Sequence, residues 1–440
     1  MDYRESVEYL ESFINYEKTL SYEYPEAFKL DRMRMLAKEL GNPQNAYECV
    51  IIAGSKGKGS TANFLSSILR MENYRVGLYT SPHLLEVRER IRVNGLMISE
   101  ARFVELMHLI RQTLDTGSWR KNPPTYFEVL TVLAFCHFKQ MKAQLAVLEV
   151  GLGGLYDSTN IAKARVVGLA PISLEHADKL GKTIAKIAVQ KCGVIKGHEV
   201  VVSAPQTAEA EAVIQKTTHE REAQLFYVGK ELKISEREYD EHSQKFDLKT
   251  PFEDYYGLET GLLGCHQIEN AALAIGLSKA LALKTRFEVS ESAVKQGVLD
   301  ASWPGRLEKI AESPQTVLDG AHNRDSLQKA LAALRRHFHF SKLIVILAIS
   351  SDKDVEGMLE VLAAEDAEVI ITQFHGVRAF PAEELAERAG RHLKNSHLEE
   401  KMEDAWSRAK VLASADDLIL ATGSLYFISE IKKHELNQTV

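Results

Sequence analysis

The stretch Ile51-Ile52-Ala53-Gly54-Ser55-Lys56-Gly57-Lys58-Gly59-Ser60-Thr61 decides how this chain folds. The apolar run at 50–53 predicts a buried strand and 63–70 the helix that follows it, with a glycine-rich turn and one central lysine between them. Glycines let backbone N–H groups approach phosphate oxygens closely. A helix N-terminus adds positive potential there, and Lys58 is placed to neutralise the outer phosphates. The spacing is not the usual one: two residues, not four, separate Gly54 from Gly57, and Gly59 stands where Ser or Thr normally follows the lysine. A plain strand–helix turn therefore competes with a phosphate loop at this point.

Working outward, 440 residues exceed one ordinary core, so two or three domains are expected. With 45% hydrophobic and 26% charged residues the composition is that of a soluble globular protein. A formal charge of −7 argues against a broad nucleic-acid surface, and no nucleic-acid partner is expected. Cys49, Cys136, Cys192 and Cys265 lie far apart without a C-x-x-C pair, which suits a reduced cytoplasm and argues against zinc. Residues 1–11 alternate acidic and apolar types, with neither a signal-peptide core nor a twin-arginine motif. No run approaches the roughly 18 apolar residues of a membrane span. A cytoplasmic protein without a membrane partner is expected.

Residues 1–48 read as amphipathic helix, stopped at Gly41-Asn42-Pro43. The roughly fifty residues ahead of the loop are too few for a full preceding domain. A second strand at 76–80 leads into Ser81-Pro82-His83-Leu84 and a charged stretch at 86–92, at the kind of strand end where open α/β sheets bind ligands. A solvated connection is the competing reading. Ser99 is expected to cap a helix to 114, and Thr125 and Glu128 have capping-box spacing, which accounts for Glu128 at least as well as a binding role. The strand at 143–150 ends in Glu149 before Gly151-Leu152-Gly153-Gly154 and Asp157-Ser158-Thr159-Asn160. An acid at the tip of a buried strand downstream of a phosphate loop is placed to hold Mg²⁺, directly or through water.

Another strand at 165–170 is followed by Ser173-Leu174-Glu175-His176 and a helix at 183–191. A lone histidine is more often structural, but His176 falls on the Glu149 side and becomes a candidate ligand. Lys191, Lys196 and Glu199 bound a turn into a strand at 200–203, and the charge-rich residues 230–255 read as the least ordered part. Residues 262–270 open an alanine-rich helix to 283, on which Asn270 faces either a purine base or the core. Near Gly297 the pattern changes, giving expected domains at 1–297 and 298–440. In the second, Trp303-Pro304-Gly305-Arg306 forms a rigid turn, and strands end in Leu318-Asp319-Gly320-Ala321-His322-Asn323, Ser350-Ser351-Asp352-Lys353-Asp354 and Thr422-Gly423-Ser424. The predicted class is α/β: a P-loop N-terminal domain on a parallel-type sheet and a smaller, doubly wound, Rossmann-like C-terminal domain.

These motifs in this order, together with His266-Gln267-Ile268-Glu269-Asn270 and Thr422-Gly423-Ser424-Leu425-Tyr426, resemble the folylpolyglutamate synthases. These are often bifunctional with dihydrofolate synthase and belong to the Mur ligase superfamily. The resemblance covers nearly the whole chain and implies ATP on Gly54, Ser55, Lys56, Gly57, Lys58, Gly59 and Ser60, with Lys58 on the outer phosphates. It implies Mg²⁺, one ion or two, on Ser81, Glu149 and His176. The Ser81 hydroxyl would then replace the ligand missing at Gly59. Lys191 matches a lysine carried as a carbamate, and Lys58, Glu149, His176 and Lys191 form the implied catalytic set. Asn270, Arg306 and Asp319 match nucleotide-contacting positions. Phe127 and Glu128 match the pterin-side pocket, Ser81, Pro82 and His83 match substrate-binding positions, and His322, Lys353 and Ser424 the side of the incoming glutamate. Departures from the family pattern are Ser55-Lys56, Leu155-Tyr156, Glu175 before His176, and Cys192.

The implied reaction joins L-glutamate to a folate, or to dihydropteroate, through an acyl phosphate, releasing ADP and phosphate from a monomeric enzyme whose domain closure excludes water. The main alternative is a paralogous Mur-type amide ligase with a non-folate acceptor acid. A muramyl-peptide ligase would need a further domain ahead of the loop. A regulatory nucleotide-binding module would not require Lys58, Glu149, His176, Lys191 and Asp319 together, and a general P-loop kinase does not explain the second α/β domain.

Overall fold

The computed structural model describes residues 1–17, 30–116, 119 and 121–438. The part of the expected N-terminal helical stretch at 18–29 lies outside them; on either side are the helices Tyr3–Glu11 and Leu30–Glu39. The chain divides into two compact units. The first comprises Met1–Glu238, Lys245–Gly261 and His266–Ala301; the second comprises Tyr239–Gln244, Leu262–Cys265 and Ser302–Val440.

In the first unit, eight strands are ordered β4-β3-β2-β5-β1-β6-β7-β8. They are β1 (Glu48–Ala53), β2 (Val76–Tyr79), β3 (Ile91–Val93), β4 (Leu96–Met97), β5 (Leu145–Glu149), β6 (Ala164–Leu169), β7 (Val200–Ser203) and β8 (Gln224–Tyr227). The pairs from β2 through β8 are parallel, and only β3 and β4 run against their neighbours. Every residue of β5 is buried, as are all but the first of β1. A parallel strand covered on both faces reads as a continuous apolar run rather than an alternating one, which is why 50–53 was legible. The helix after β1 runs Lys58–Met71, starting five residues before the predicted 63–70, because Gly57 adopts φ +78 as its N-cap and hands over directly to Lys58. Ser99 accepts from the Arg102 N–H and caps the helix Glu100–Leu114, as its spacing predicts.

Residues 230–255 are not the least ordered region. They lie within a three-stranded sheet, β9 (Lys233–Tyr239), β10 (Gln244–Lys249) and β11 (Asp254–Thr260). Along β10 buried and less buried residues alternate, so its charges occupy the outer face of a half-buried strand. The short period hid behind the charge content.

The second unit holds a six-stranded sheet ordered β12-β13-β17-β14-β15-β16. Its strands are β12 (Glu308–Glu312), β13 (Gln315–Leu318), β14 (Leu343–Leu347), β15 (Ala367–Ile371), β16 (Ser396–Leu398) and β17 (Leu418–Thr422). All pairs are parallel except β12 with β13. The chain moves outward from β14 through β15 and β16, then returns to lay β17 on the other side of β14. That reversal makes the β14/β17 boundary a topological switch point, where such sheets bind ligands beyond the strands' carboxyl ends. No helix among the described residues is long and apolar enough to cross a membrane.

Two glycines give opposite stability tests. In the first unit a Cβ on Gly297 would lie 2.4 Å from Ile68 Cα and 2.6 Å from Ile68 N, backbone that cannot swing aside. Gly390, inside the helix Ala382–His392 of the second unit, has nothing within 4 Å of that position. Gly297→Ala should destabilise its unit by about 1–3 kcal/mol in urea unfolding, whereas Gly390→Ala should stabilise its own by roughly 0.5–1 kcal/mol.

Candidate active site

In the first unit the carboxyl ends of four adjacent strands, β2, β5, β1 and β6, carry Ser81, Glu149, the glycine loop and His176 respectively. Gly54 has φ +147, and a Cβ there would stand 2.7 Å from Ala170 Cβ and 2.8 Å from Ala170 O. At Gly57 it would stand 2.4 Å from Asn270 Oδ1. The loop is thus pressed between the end of β6 and the helix Cys265–Ala282. Asn270 is buried there, donating to Gln267 Oε1 at 3.0 Å and accepting from Thr61 Oγ1 at 3.4 Å. It lies against the loop at Gly57.

The loop's first donors are turned inward. The N–H groups of Ser55 and Lys56 both donate to the Pro171 carbonyl, at 2.9 and 3.3 Å. Ser55 Oγ donates to the Ser173 carbonyl at 3.1 Å and accepts the Ser173 N–H at 3.0 Å. Ser55 therefore braces β1 against β6. A helix leaves its first N–H groups without partners four residues back, so Lys58, Gly59 and Ser60 supply the donors that face an anion. Lys58 Nζ folds back to the Ser55 carbonyl at 3.2 Å.

Lys191, on the helix Ile184–Cys192, is buried and donates from Nζ to the Gly54 carbonyl at 2.6 Å. Burial, and then the Lys58 charge, bring its pKa down to about 7, against the opposing pull of Glu175 and Asp157. The Gly154 position approaches the same helix, where a Cβ would be 2.8 Å from Gln190 O and 2.9 Å from Lys191 O.

Glu149 is buried and accepts the Ser81 N–H at 2.9 Å, which ties the ends of β5 and β2 together. The Ser81–Pro82 peptide is cis. His176 has a left-handed backbone, φ +51, and begins the short helix Ala177–Leu180. Among the described residues no three His, Cys, Asp or Glu side chains gather into a metal cage. A site on Ser81, Glu149 and His176 would draw one ligand from a hydroxyl.

On the acceptor side, Phe127 lies beside Gly151, where a Cβ would meet its ring at 2.6 Å, and 5.8 Å from the Tyr79 ring centroid. Glu128 is occupied structurally. Its carboxylate accepts the Thr125 N–H at 2.7 Å in a capping box and pairs with Arg32 Nε at 2.7 Å, both side chains nearly enclosed. The capping reading of Glu128 holds, and Arg32 is the partner sequence reasoning missed. Asp157, named in the sequence only as part of the turn after Glu149, has a defined structural role. Fully buried, it accepts the N–H groups of Gly151, Leu152 and Thr159 and the Thr159 hydroxyl, at 3.0, 3.1, 2.9 and 2.6 Å, shaping the turn after Glu149. Burial raises its pKa against those bonds. Its signal was an acid six residues after a glycine pair's start, visible but not distinctive.

The second unit gathers the remaining candidates. Asp319, buried past β13, accepts the Leu307 N–H at 3.0 Å and the Ala321 N–H at 2.8 Å. Burial raises its pKa while neighbouring Arg306 lowers it. His322 Nδ1 lies 2.9 Å from the Gly320 carbonyl. At the switch point Ser350 and Ser424, both buried, stand with hydroxyls 3.4 Å apart. Lys353 and the unanticipated Arg378 converge on Asp352 at 3.1 and 2.6 Å. Burial of Asp352 opposes ionisation, yet these two cations hold its pKa at about 2.

Residues 52–278 match the Mur ligase middle domain and residues 305–425 the Mur ligase glutamate ligase domain. The dihydrofolate synthase/folylpolyglutamate synthase of Bacillus subtilis is 33% identical over 408 residues, spanning 92% of this chain and 94% of that protein. That of Escherichia coli is 31% identical over 404 residues, 91% of this chain and 90% of that one. Among solved structures, Mycobacterium tuberculosis folylpolyglutamate synthase complexed with ADP superposes with a TM-score of 0.90 at 30% identity, covering 98% of this chain and 99% of that one. Escherichia coli FolC in complex with DHPP and ADP gives 0.87 at 28% identity, covering 100% and 99%. Two domain matches in the motif order, and relatives aligned along nearly their whole length, place the chain in the dihydrofolate synthase/folylpolyglutamate synthase family of the Mur ligases.

Proposed function

We propose that this chain is an ATP-dependent ligase that adds L-glutamate to the carboxylate of a folate, and to dihydropteroate, releasing ADP and phosphate. The full-length relatives carry that name, and the observation that carries the reading here is the loop itself. A glycine turn leads straight into a helix N-terminus at Lys58, with buried Lys191 on one side and the Glu149–Ser81 pair on the next strand ends. Residues 1–297 would bind nucleotide and acceptor and 298–440 the glutamate, consistent with the second unit's main segment Ser302–Val440.

In the first step the γ-phosphoryl group leaves the ADP oxygen and bonds to an acceptor carboxylate oxygen. The amine of glutamate then attacks the acyl carbon, the bond to the phosphate oxygen breaks, and the nitrogen sheds its proton to solvent. The first step needs charge balance more than acid–base chemistry. Lys58 and the N–H groups of the helix's first turn provide it. The donor chemistry of Glu149, Ser81 and His176, hard oxygens plus one imidazole, fits Mg²⁺ completed by phosphate oxygens and water, and the ion would neutralise phosphate charge. In the first unit Asn270 would hold the nucleotide and Phe127, Pro82 and His83 the acceptor; in the second, Lys353, His322 and Ser424 would hold the amino acid.

ADP release with Mg²⁺, ATP and glutamate should require dihydropteroate or a reduced folate, with product mass rising by one glutamate. Turnover on neither pteridine alongside intact ATP binding would reject the substrate and favour another acceptor acid. Lys58→Ala should lower kcat by at least about a hundredfold.

Lys191 would carry CO₂ as a carbamate, since only a neutral amine reacts. With its pKa brought down to about 7, roughly half the amine is neutral at pH 7, against well under a tenth of a percent for an ordinary lysine. Carbamate, read by ¹³C NMR in labelled bicarbonate, should rise with pH through about 7 and vanish in Lys191→Met. An unmodified Lys191 across that range would overturn the assignment.

A further inference from the structure

Two consecutive residues, Glu89 and Arg90, both grip the loop that begins Ser81-Pro82-His83. The Glu89 carboxylate accepts the N–H groups of Leu84, Leu85 and Glu86 at 2.9, 2.7 and 2.9 Å, fixing the backbone immediately after His83. Arg90, only 2% exposed, donates from Nη1 and Nη2 to the two carboxylate oxygens of Glu17, each at 2.7 Å. Its Nε donates to Nδ1 of His83 at 2.8 Å, and the guanidinium lies 5.7 Å from the Tyr126 ring centroid.

A guanidinium has N–H donors and no acceptor, and it does not lose its proton in proteins. Nδ1 of His83 therefore has to accept, and the ring proton belongs on Nε2. Which nitrogen of a histidine carries the proton is set by the bond the other one makes. The fork matters as well as the charge. Glu17 fixes two of the three guanidinium nitrogens, so the third has one direction left, and that direction is the imidazole. A lysine ammonium at this position would have no rigid plane with which to hold a carboxylate and a ring nitrogen at once.

We infer that Arg90 is a positioning residue of the acceptor site. It holds His83 in the Nε2–H tautomer and in one ring orientation, so the Ser-Pro-His loop offers a hydrogen-bond donor to an acceptor atom of the acid being extended. Arg90 does not itself touch that acid. The inference rests on the assignment of this loop to the acceptor, and its test separates the two.

Protein labelled with ¹⁵N-histidine is observed by long-range ¹H–¹⁵N correlation, with the His83 ring identified by its loss in His83→Gln. His83 in the unmodified protein should be the Nε2–H tautomer, and Arg90→Lys should convert it to a mixture. Kinetically, Arg90→Lys should raise KM for the pteridine acceptor about tenfold, in the manner of other residues that orient a ligand-binding histidine, while KM for ATP stays within twofold. An Nδ1–H tautomer in the unmodified protein overturns the proposal even if Arg90→Lys does not fold. An unchanged tautomer in Arg90→Lys, or equal changes in both KM values, also overturns it. If no pteridine is turned over but the tautomer shifts as expected, the loop's substrate is wrong and Arg90's hold on His83 stands.

Discussion

The turn out of β1 has no room for side chains, and much of the first unit follows from that. At Gly54 a side chain would collide with the end of β6, and at Gly57 with the Asn270 amide. Three elements distant in sequence, namely β1, β6 and the helix bearing Asn270, are locked to one small volume. The left-handed conformation at Gly57 starts the next helix at Lys58. That start aims the helix's first N–H groups, and its positive end, into the volume the glycines leave open. The same absence of side chains exposes the Gly54 carbonyl to Lys191. An open helix N-terminus and a buried lysine are two consequences of one backbone constraint.

Electrostatics then distinguishes groups that look alike. Two lysines, Lys58 and Lys191, bond to carbonyls of the same short loop, at Ser55 and Gly54. Lys58 lies at the helix start, only partly buried, with its Nζ folded back to the Ser55 carbonyl. Lys191 is enclosed, and desolvation with a like charge nearby disfavours its protonated form. Two buried carboxylates divide in a similar way. Asp157 is saturated by donors from its own turn, which makes it a shaping group. Glu149 links two strand ends through the Ser81 N–H, at the mouth of the loop.

What was legible in the sequence follows the range over which each signal acts. Buried parallel strands announce themselves as apolar runs, so β1, β2, β5, β6 and β7 were found within one or two residues, and the capping residues Ser99 and Thr125 act over three or four positions. The motif residues were legible because they sit immediately after strands. The sheet at 233–260 was not, because β9 is largely exposed, burial in β10 alternates, and the exposed positions are rich in charge. Least legible were the long-range partners. Nothing near Glu128 in sequence names Arg32, nothing near Arg90 names Glu17, and Arg378 meets Asp352 across 26 residues. Those pairings depend on which strand ends become neighbours. For the same reason the bonds of Ser55 to Ser173 could not be read from the loop itself.

In the second unit the return of the chain to place β17 beside β14 sets two serine hydroxyls face to face where the strands end. The Gly423 conformation permits this, since at φ +111 a Cβ would lie 2.3 Å from the Ala348 carbonyl. Close by in sequence, Asp352 draws Lys353 and Arg378 to one carboxylate. One acid between two cations leaves a net positive charge while suppressing their mutual repulsion, and it holds both in fixed positions. An anion approaching such a cluster meets charges already organised, so less side-chain ordering opposes its binding than with two independent flexible cations. The acid thereby fixes both cations in place, and they in turn hold its pKa at about 2 against its burial.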